Sequence, residues 1–358
     1  MRASVAVIVA FVMLSNAHWL AAQEVKSSYA EPPASDGVPW YRRAINFFFF
    51  DIDTNYIATD RYRMNVALRS DITCDNYTLR EGRGDDYRAL TISQSPGYTL
   101  GIYAGWEVIT AGWSVNIAEV LDDGDPGRRN TDYRFSLMGT FIGCDLYYRN
   151  YLDGFEITRS EGLGLDSGND RQRREVEGVE ARVAGFNAWY IFNRRRLAYP
   201  AVYAHSSRQK RSCGSVMLGL SYTLHDFDID AAEFPDDYDD FMERHSELTH
   251  VSYHNVSLGV GYTYNFAFLG RFTANVTLLP SVSYHISRLE QTDDCEPIYK
   301  NLNCDVLAKG GVTYNTGRFF AGCTGQFRMY LNRHDRAAIV NNSAVVSLFM
   351  GINFWSKK

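Results

Sequence analysis

Residues 271–286 alternate between apolar and polar side chains along their whole length. The even positions, from Phe272 to Ile286, are all apolar, and the odd positions are polar except for Leu279. This period of two predicts a β-strand with one apolar face and one polar face. Strands of soluble proteins are about 5–6 residues long, whereas a tilted strand that crosses a bilayer needs about 9–11. The segment is therefore long enough to span a membrane.

The same alternation recurs along the chain and predicts an all-β protein. The segments are 61–69, 87–94, 98–106, 112–118, 133–141, 145–156, 183–192, 215–224, 256–266, 271–286, 302–314, 319–331 and a last strand through Phe354. Single-chain bacterial barrels have even numbers of strands, so we expect one segment before residue 110 to lie outside the wall. We predict a transmembrane antiparallel up-and-down β-barrel of about 12 strands, within a range of about 10–14.

The connections fit this prediction because short and long ones largely alternate. Leu269-Gly270 and 315–317 are short, whereas the longer polar connections are 119–131, 157–178, 226–249, 287–301 and 332–342. Periplasmic turns and extracellular loops of barrels differ in this way. A secreted soluble β-sandwich also alternates, but it would not usually carry strands this long with aromatic residues on the apolar face.

The N-terminus has the features of a secretory signal peptide over residues 1–22. Arg2 is followed by an apolar stretch from Ala3 to Leu14 and by small residues before Gln23. An N-terminal membrane anchor is the alternative. We expect a periplasmic lead-in segment at 23–58, a barrel at 59–358, and a location in the bacterial outer membrane. The last strand, ending at Phe354 and Trp355, resembles the C-terminal signature of Gram-negative outer-membrane barrels, although Ser356-Lys357-Lys358 follow.

Charge and cysteine content limit the classes of partner. The net charge of −6 gives no reason to expect nucleic acid. The expected partners are outer-membrane lipid and lipopolysaccharide, with a periplasmic protein as a further one. The six cysteines lack metal-ligand spacing, and no cofactor is expected. Cys295 and Cys304 flank a loop and are candidates for a disulfide; alternatively, Cys304 is a small outward-facing residue.

Residues 189–215 resemble a bacterial family known only as domain of unknown function 4421. The matching residues are Asn193, Tyr199, Pro200, Gln209, Lys210, Arg211 and Ser212. Asp51 to Ile57 and Gly105-Trp106 also resemble its pattern. The resemblance implies an outer-membrane-type β-barrel and no established activity.

The polar faces of the predicted strands carry an excess of basic residues. The candidate lumen-lining residues are Arg63, Arg134, Arg271, Lys309 and Arg328, with Asp305 as one acid and with Tyr103 and Tyr330 on the same face. A basic interior would favour anions. The alternative is a lumen filled by its own side chains and loops, in which Arg and Asp satisfy one another.

Two motifs suggest chemistry. His205 and Ser207 would lie on one side of an extended chain, as a base and a nucleophile require. Outer-membrane phospholipases carry a His and a Ser with this spacing, but Arg208-Gln209 stands here where they have Asn-Gly; a polar turn is the alternative. Asp226, Asp228 and Asp230 begin like a calcium loop. Ala231 and Asp237 depart from that pattern, so an acidic surface loop is the alternative.

A basic segment brackets His205. It contains Arg194-Arg195-Arg196 before His205, and Arg208, Lys210 and Arg211 after it. These residues would bind lipid phosphates or an acidic partner, or form a solvated periplasmic connection. Three functions remain open: a narrow channel or carrier for anionic solutes, a plugged structural or interaction barrel that presents loops to a partner, and a membrane-embedded lipid hydrolase.

Overall fold

The computed structural model describes residues 52–59, 62–81, 88–94, 97–117, 130–139, 141–152, 154–161, 174–230, 250–289, 298–331 and 337–356. The predicted signal peptide and most of the predicted lead-in lie outside these residues. Within them, the strands are β1 (Ile57–Thr59), β2 (Tyr62–Glu81), β3 (Arg88–Gln94), β4 (Gly97–Trp106), β5 (Ile109–Asn116), β6 (Thr131–Met138), β7 (Ile142–Tyr151), β8 (Phe155–Glu161), β9 (Arg174–Val176), β10 (Val179–Ile191), β11 (Ser207–Gln209), β12 (Cys213–Ile229), β13 (His250–Phe268), β14 (Phe272–Leu289), β15 (Ile298–Asn315), β16 (Phe319–Leu331) and β17 (Ala337–Ser356). A short helix, α1 (Pro200–Tyr203), precedes β11.

Twelve of these strands close into an antiparallel barrel. The wall order is β2, β4, β5, β6, β7, β10, β12, β13, β14, β15, β16 and β17, and β17 pairs back onto β2. This closing seam runs from Ala337↔Glu81 to Ser356↔Tyr62. Closure leaves the wall without a free edge. The predicted fold class and the predicted number of strands are confirmed.

Of the thirteen alternating segments of the sequence, the one that lies outside the wall is 87–94, which forms β3. It pairs with the upper part of β2 through Asn76↔Ser93 to Glu81↔Arg88. It also pairs with β8, which in turn pairs with β9. The extra segment therefore does lie before residue 110, as the even strand number required.

The two faces of the wall reverse the arrangement of a soluble protein. Leu258, Val260 and Met350 face outward and are 57%, 58% and 63% exposed, whereas Asn265 and Asn275 face inward and are buried. The outward band is the kind of surface that lipid covers. Leu279, which breaks the alternation in the sequence, points inward and is buried. None of the helices within the described residues is long and apolar enough to cross a membrane.

The connections give the barrel two different ends. Connections at 107–108, 139–141, 269–271 and 316–318 are tight, and we call their side the short-turn end. At the 269–271 turn, Leu269 and Gly270 have φ values of 51° and 70°, which matches the twist of a tight hairpin. The opposite side is the long-loop end. Three predicted loops there are shorter than expected, because β12 continues to Ile229, β14 and β15 reach Leu289 and Ile298, and β17 begins at Ala337.

Candidate functional site

The connection between β10 and β12 turns into the lumen at the short-turn end. We call residues 192–212 the plug. Its apolar run from Leu197 to Ala204 contains α1, which begins at Pro200, where the fixed φ of proline suits a first helical position. Leu197, Tyr199 and Val202 are buried. This run packs against inward apolar side chains of the wall at the short-turn end.

Polar side chains of three successive strands form hydrogen bonds with the plug. Asn265 Nδ2 on β13 donates to Ala198 O at 2.9 Å, and Thr313 Oγ1 on β15 donates to Val202 O at 3.3 Å. From the plug, Tyr203 OH donates to Asn275 Oδ1 on β14 at 2.9 Å. The polar alternation of these strands therefore provides hydrogen-bond partners for an inserted segment.

Gln209 holds the two arms of the plug together. Its Nε2 donates to the carbonyl oxygens of Arg196 at 2.7 Å and Arg211 at 2.8 Å, and its Oε1 accepts from Ala198 N at 2.8 Å and Asn265 Nδ2 at 3.0 Å. Gln209 is buried. One side chain thus satisfies backbone groups that would otherwise be buried without partners.

The predicted lead-in contacts the outer surface of the plug. Strand β1 pairs with β11, from Ile57↔Gln209 to Thr59↔Ser207. Lys210 Nζ donates to Thr54 O at 2.7 Å, and the guanidinium carbons of Arg196 and Arg211 lie 4.9 and 5.8 Å from the Tyr56 ring centroid. We call residues 52–59 and 207–211 together the clasp.

All seven family-motif residues of the sequence lie in the plug. Asn193 N donates to Ser215 Oγ at 2.8 Å, and Ser212 Oγ accepts from Ala267 N at 2.9 Å, so both ends of the plug are tied to the wall. Tyr199 stacks on Trp189 with ring centroids 5.4 Å apart. Burial raises the pKa of Tyr199 well above its usual range. The motif therefore describes the structure of the plug and its attachments.

The candidate nucleophile and base do not form a catalytic pair. His205 has a φ of 59°, and its ring lies between those of Phe320 and Phe349, with centroids 4.4 and 4.2 Å away. Burial lowers its pKa to about 3. Ser207 lies in β11, opposite Thr59. Among the described residues no hydrogen bond joins His205 to Ser207; His205 is a packed ring and the segment is an insertion, not a polar turn.

Above the plug, the lumen contains a network of buried ion pairs. Arg69 Nε lies 2.6 Å from Asp71, Arg134 Nη2 lies 3.5 Å from Asp132, and Lys309 Nζ lies 3.6 Å from Asp145. Arg149 bridges Asp132 at 3.3 Å and Asp75 at 3.7 Å. Such pairs offset much of the cost of removing charges from water.

Arg328 differs from the other lumenal cations. It donates to Tyr330 OH at 3.1 Å and to Asn187 Oδ1, and no carboxylate lies within 4.0 Å of it among the described residues. Asp305 instead accepts from Ser257 Oγ at 2.8 Å and Asn255 Nδ2 at 3.1 Å. The network thus contains five cations and five carboxylates, Arg69, Arg134, Arg149, Lys309 and Arg328 with Asp71, Asp75, Asp132, Asp145 and Asp305.

A cavity of about 120 Å³ remains between the plug and this network. Arg134, Lys309 and Arg328 line it. Arg63 lies at the short-turn end, 3.8 Å from Glu107. The structure corrects the position of Arg271, which is an exposed residue of the 269–271 turn, 3.4 Å from Tyr314 OH.

Sequence reasoning missed half of the network. Arg149, Asp75, Asp132 and Asp145 lie in segments judged irregular or outside a predicted strand. The polar alternation of β2 continues through Asp71, Thr73 and Asp75, and following it would have revealed the acids that balance the basic residues.

The long-loop end is covered by apolar side chains. Leu90 and Ile92 of β3 and Phe155 and Ile157 of β8 are buried against inward residues of the wall, including Phe227. The rings of Phe155 and Phe227 lie 6.1 Å apart. We call this cluster the cap.

The remaining candidate sites lie at the long-loop end or on the outer surface. Asp226 and Asp228 belong to β12 and not to a loop, and Asp230 follows it, so the calcium-loop pattern begins inside a strand. Among the described residues, no group of three or more His, Cys, Asp or Glu side chains is arranged to hold a metal ion. Cys304 is exposed on β15, while Cys295 lies outside the described residues, so their disulfide stays a prediction.

The comparisons with known proteins concern the fold and the family. No curated protein matches this chain. The outer-membrane protease OmpT of Escherichia coli is similar at 10% identity and a TM-score of 0.37, covering 84% of this chain and 100% of that one. The β domain of the Bordetella autotransporter BrkA is similar at 10% identity and a TM-score of 0.36, covering 82% of this chain and 100% of that one. The toluene transporter TodX of P. putida is similar at 8% identity and a TM-score of 0.24, covering 82% of this chain and 90% of that one.

The family of this chain is identified from its sequence. A family model described as "Domain of unknown function (DUF4421)" matches residues 51–354. This range contains the whole wall through Phe354, the plug and the described part of the lead-in. The chain therefore belongs to the DUF4421 family and has the fold of an outer-membrane-type β-barrel.

Proposed function

We propose that this protein is a plugged barrel of the bacterial outer membrane that does not conduct ions at rest and presents its clasp to a periplasmic protein. The exposed apolar band supports the membrane location. The difference between tight turns and long loops supports an orientation with the short-turn end in the periplasm. The plug and the clasp then face the periplasm.

The observation that carries the proposal is the attachment of the plug to three wall strands. Asn265, Asn275 and Thr313 bond it from inside the lumen, and Gln209 closes it on itself. The lumenal charges above it are paired or hydrogen-bonded. An ion entering this path would have to displace both, so the resting barrel is closed.

The chemistry of the clasp and of the adjoining plug residues indicates an acidic partner. Arg195, Arg196, Lys210 and Arg211 are exposed on the outer surface of the plug. Their guanidinium and ammonium groups suit carboxylates of a protein partner. Since β1 is joined to β11, a partner that binds the lead-in also acts on the plug.

Single-channel recording in planar bilayers tests the closed state. The full-length barrel is compared with a variant in which residues 197–205 are replaced by a Gly-Ser linker of equal length. Heat-modifiable gel mobility confirms that each protein is folded. We expect a silent native barrel and discrete conductance steps in the variant. Discrete steps in the native barrel would contradict the closed state, and a folded but silent variant would contradict the role of the plug.

If the replacement variant does not fold, a milder change addresses the same question. Asn275→Ala removes the acceptor of the Tyr203 hydroxyl and leaves the plug sequence intact. Brief openings that are more frequent than in the native barrel support a plug held by these bonds. An opening rate equal to that of the native barrel contradicts it.

A second candidate function, the passage of anionic solutes after plug release, is favoured by one observation. Arg328 lines the cavity without a carboxylate within 4.0 Å among the described residues, and Lys309 and Arg134 lie on the same cavity. The reversal potential of the plug-replaced variant in a salt gradient tests it. Anion preference supports this function, and it should decrease in Arg328→Gln; cation preference contradicts it.

A further inference from the structure

Aromatic side chains form a row on the outer surface of the barrel, at the short-turn border of the apolar band. Phe268 on β13 pairs with Phe272 on β14, and Phe272 pairs with Tyr314 on β15. The centroids of neighbouring rings are 5.4 and 4.9 Å apart. Barrels of the outer membrane carry such rings at the depth where the lipid head groups begin. We call these three residues the aromatic row.

Two arginines of the short turns fold back onto the outer surface beside this row. Arg271 precedes β14, and its Nη1 donates to Tyr314 OH at 3.4 Å. Arg318 precedes β16, and its guanidinium carbon lies 5.8 Å from the ring centroid of Phe319. Phe319 is 57% exposed on the outward face. Both guanidinium groups therefore lie on the side of the wall that faces lipid.

The two turns that carry these arginines are neighbours. The 269–271 turn and the 316–318 turn flank the paired strands β14 and β15. Asn315 N donates to Arg271 O at 2.9 Å, and the second turn begins at the next residue. Gly317 N in turn donates to Asn315 Oδ1 at 2.7 Å. The backbone that carries both arginines is thus fixed before any ligand binds, which lowers the entropic cost of binding.

The charges of these arginines are not neutralised by the protein. Neither Arg271 nor Arg318 has a carboxylate within 4.0 Å in the part of the chain that the structure describes. Arg182, which is exposed on β10 toward the long-loop end, differs because its Nη2 lies 3.1 Å from Glu180 Oε2. A guanidinium group has five N–H donors, and only the bond to Tyr314 uses one of them here. The other donors can bind an anion from outside the protein.

We propose that Arg271 and Arg318 bind the phosphate group of an anionic glycerophospholipid, such as phosphatidylglycerol, in the periplasmic leaflet. The planar guanidinium group matches the geometry of phosphate oxygens and forms two parallel hydrogen bonds with them. The outward direction of both side chains favours a lipid over a soluble anion. This inference rests on the membrane location and orientation proposed above and does not depend on the plug.

The surface beside the arginines also suits an acyl chain. Tyr314 pairs with Ala321 on β16, so the aromatic row is followed by an exposed methyl group. Phe319 lies two residues before Ala321 and on the same face. A phosphate held by the two arginines would place the first acyl methylenes over Ala321. The rings of Tyr314 and Phe319 flank that position, and burial of the methylenes against them adds to the affinity.

Sequence reasoning did not find this pair. Arg271 continues the polar positions of the alternating segment and was therefore assigned to the lumen. Because β14 begins only at Phe272, Arg271 belongs to the turn and its side chain can point outward. Arg318 lies in a turn without alternation and was not singled out.

Native mass spectrometry of the full-length folded barrel tests the site. The barrel is transferred from micelles that contain equal amounts of phosphatidylglycerol and phosphatidylethanolamine with the same acyl chains. We expect the native barrel to retain phosphatidylglycerol in preference to phosphatidylethanolamine. The double variant Arg271→Gln with Arg318→Gln should have an apparent affinity about 30-fold lower, since each basic group beside an anionic lipid contributes about a factor of five.

Controls separate this site from the general charge of the barrel. Arg182→Gln also removes an exposed arginine and should leave the retention unchanged. Glycerol phosphate has the head-group phosphate without acyl chains and should not displace the retained lipid. Heat-modifiable gel mobility confirms that each protein is folded. If the double variant does not fold, Arg318→Gln alone should lower the affinity by about fivefold.

Four results would overturn the proposal. The first is a folded native barrel that retains both lipids equally, and the second is unchanged retention in the folded double variant, or in Arg318→Gln if the double variant does not fold. The third is an equal loss in Arg182→Gln, which would assign the effect to net charge. The fourth is displacement by glycerol phosphate, which would indicate a site for soluble anions. The conductance experiment on the plug gives its result independently of all four.

Discussion

The two coverings of the lumen differ in chemistry. The plug at the short-turn end is held by hydrogen bonds from amide and hydroxyl side chains, centred on Gln209, Asn265 and Asn275. The cap at the long-loop end is held by packed apolar side chains such as Leu90, Ile92 and Phe155. The plug therefore combines directional bonds with a buried apolar cluster, whereas the cap is held mainly by burial.

This difference has an energetic consequence. Burial of apolar area stabilises the cap by about 25 cal/mol per Å², independent of pH. A hydrogen bond contributes only about 0.5–1.5 kcal/mol net, because the released groups bind water instead. The hydrogen-bonded contacts of the plug can therefore be broken at a low net cost, provided that water reaches the groups that they expose. The periplasmic side is the side we expect to open.

The largest effect is expected in the cap. Phe155→Ala removes a fully buried ring and should lower the free energy of unfolding by about 4 kcal/mol, measured by urea unfolding of the barrel in lipid vesicles. Phe192→Ala is the control, since Phe192 is 59% exposed, and it should cost far less. Equal costs for the two substitutions would mean that the cap is not packed as described.

A smaller and more local effect is expected at the centre of the plug. Gln209→Leu leaves the amide of Ala198 and the carbonyl oxygen of Arg196 without their partner and should destabilise the plugged state by about 2–3 kcal/mol. Hydrogen exchange of the plug amides measures this as an increase in rate of about 30–160-fold. Gln326→Leu, a lumenal change beside the cavity, should leave those rates nearly unchanged. Protection of the plug that survives Gln209→Leu would show that the closure does not depend on this residue.

The smallest effect is a pH dependence of the plug. The buried imidazole of His205 has its pKa lowered to about 3, whereas its ordinary value is 6.5. A released His205 therefore binds a proton between these values and the plugged state does not. The plugged state has its full stability above about pH 6.5 and loses about 2 kcal/mol by pH 5.

The opening rate of the plug as a function of pH measures this contribution. The native barrel should open more often as the pH falls from 7 to 5 in the recording buffer. His205→Phe keeps a ring between Phe320 and Phe349 and should remove the dependence over that interval. Identical pH profiles for the two proteins would assign the effect to another group.

The wall could be predicted from the sequence because its signal is local. A period of two over residues 271–286 or 256–266 is visible without knowing any neighbour. The even strand number even identified the region of the extra segment, 87–94. The plug and the cap could not be predicted in this way, since the side on which a connection folds depends on contacts between distant residues such as Gln209 and Asn265.

The candidate site residues were likewise predictable only where the alternation of their strand is regular. Strand parity alone assigned Arg134, Lys309 and Arg328 to the inward face, and all three line the cavity. The acids that pair with them came from segments with poor alternation, and so the lumen seemed more basic in the sequence than it is. The surroundings of His205 were predicted wrongly because the apolar run around it looks like a surface connection in the sequence. Its burial depends on contacts with the inner face of the barrel wall.

The balance of five cations and five carboxylates among the described residues of the lumenal network has a consequence for the response to a membrane potential. An electric field across a membrane does work of about 2.3 kcal/mol per elementary charge per 100 mV, and it does so only on net charge that moves. The neutral imidazole of His205 and the hydroxyls and amides around it carry no net charge. The basic side chains of the clasp lie at the outer rim of the barrel, where the membrane potential changes little. We therefore expect voltage to act on this closure only through the basic side chains at the rim, and a chemical or mechanical signal from the periplasm to be the main means of opening it.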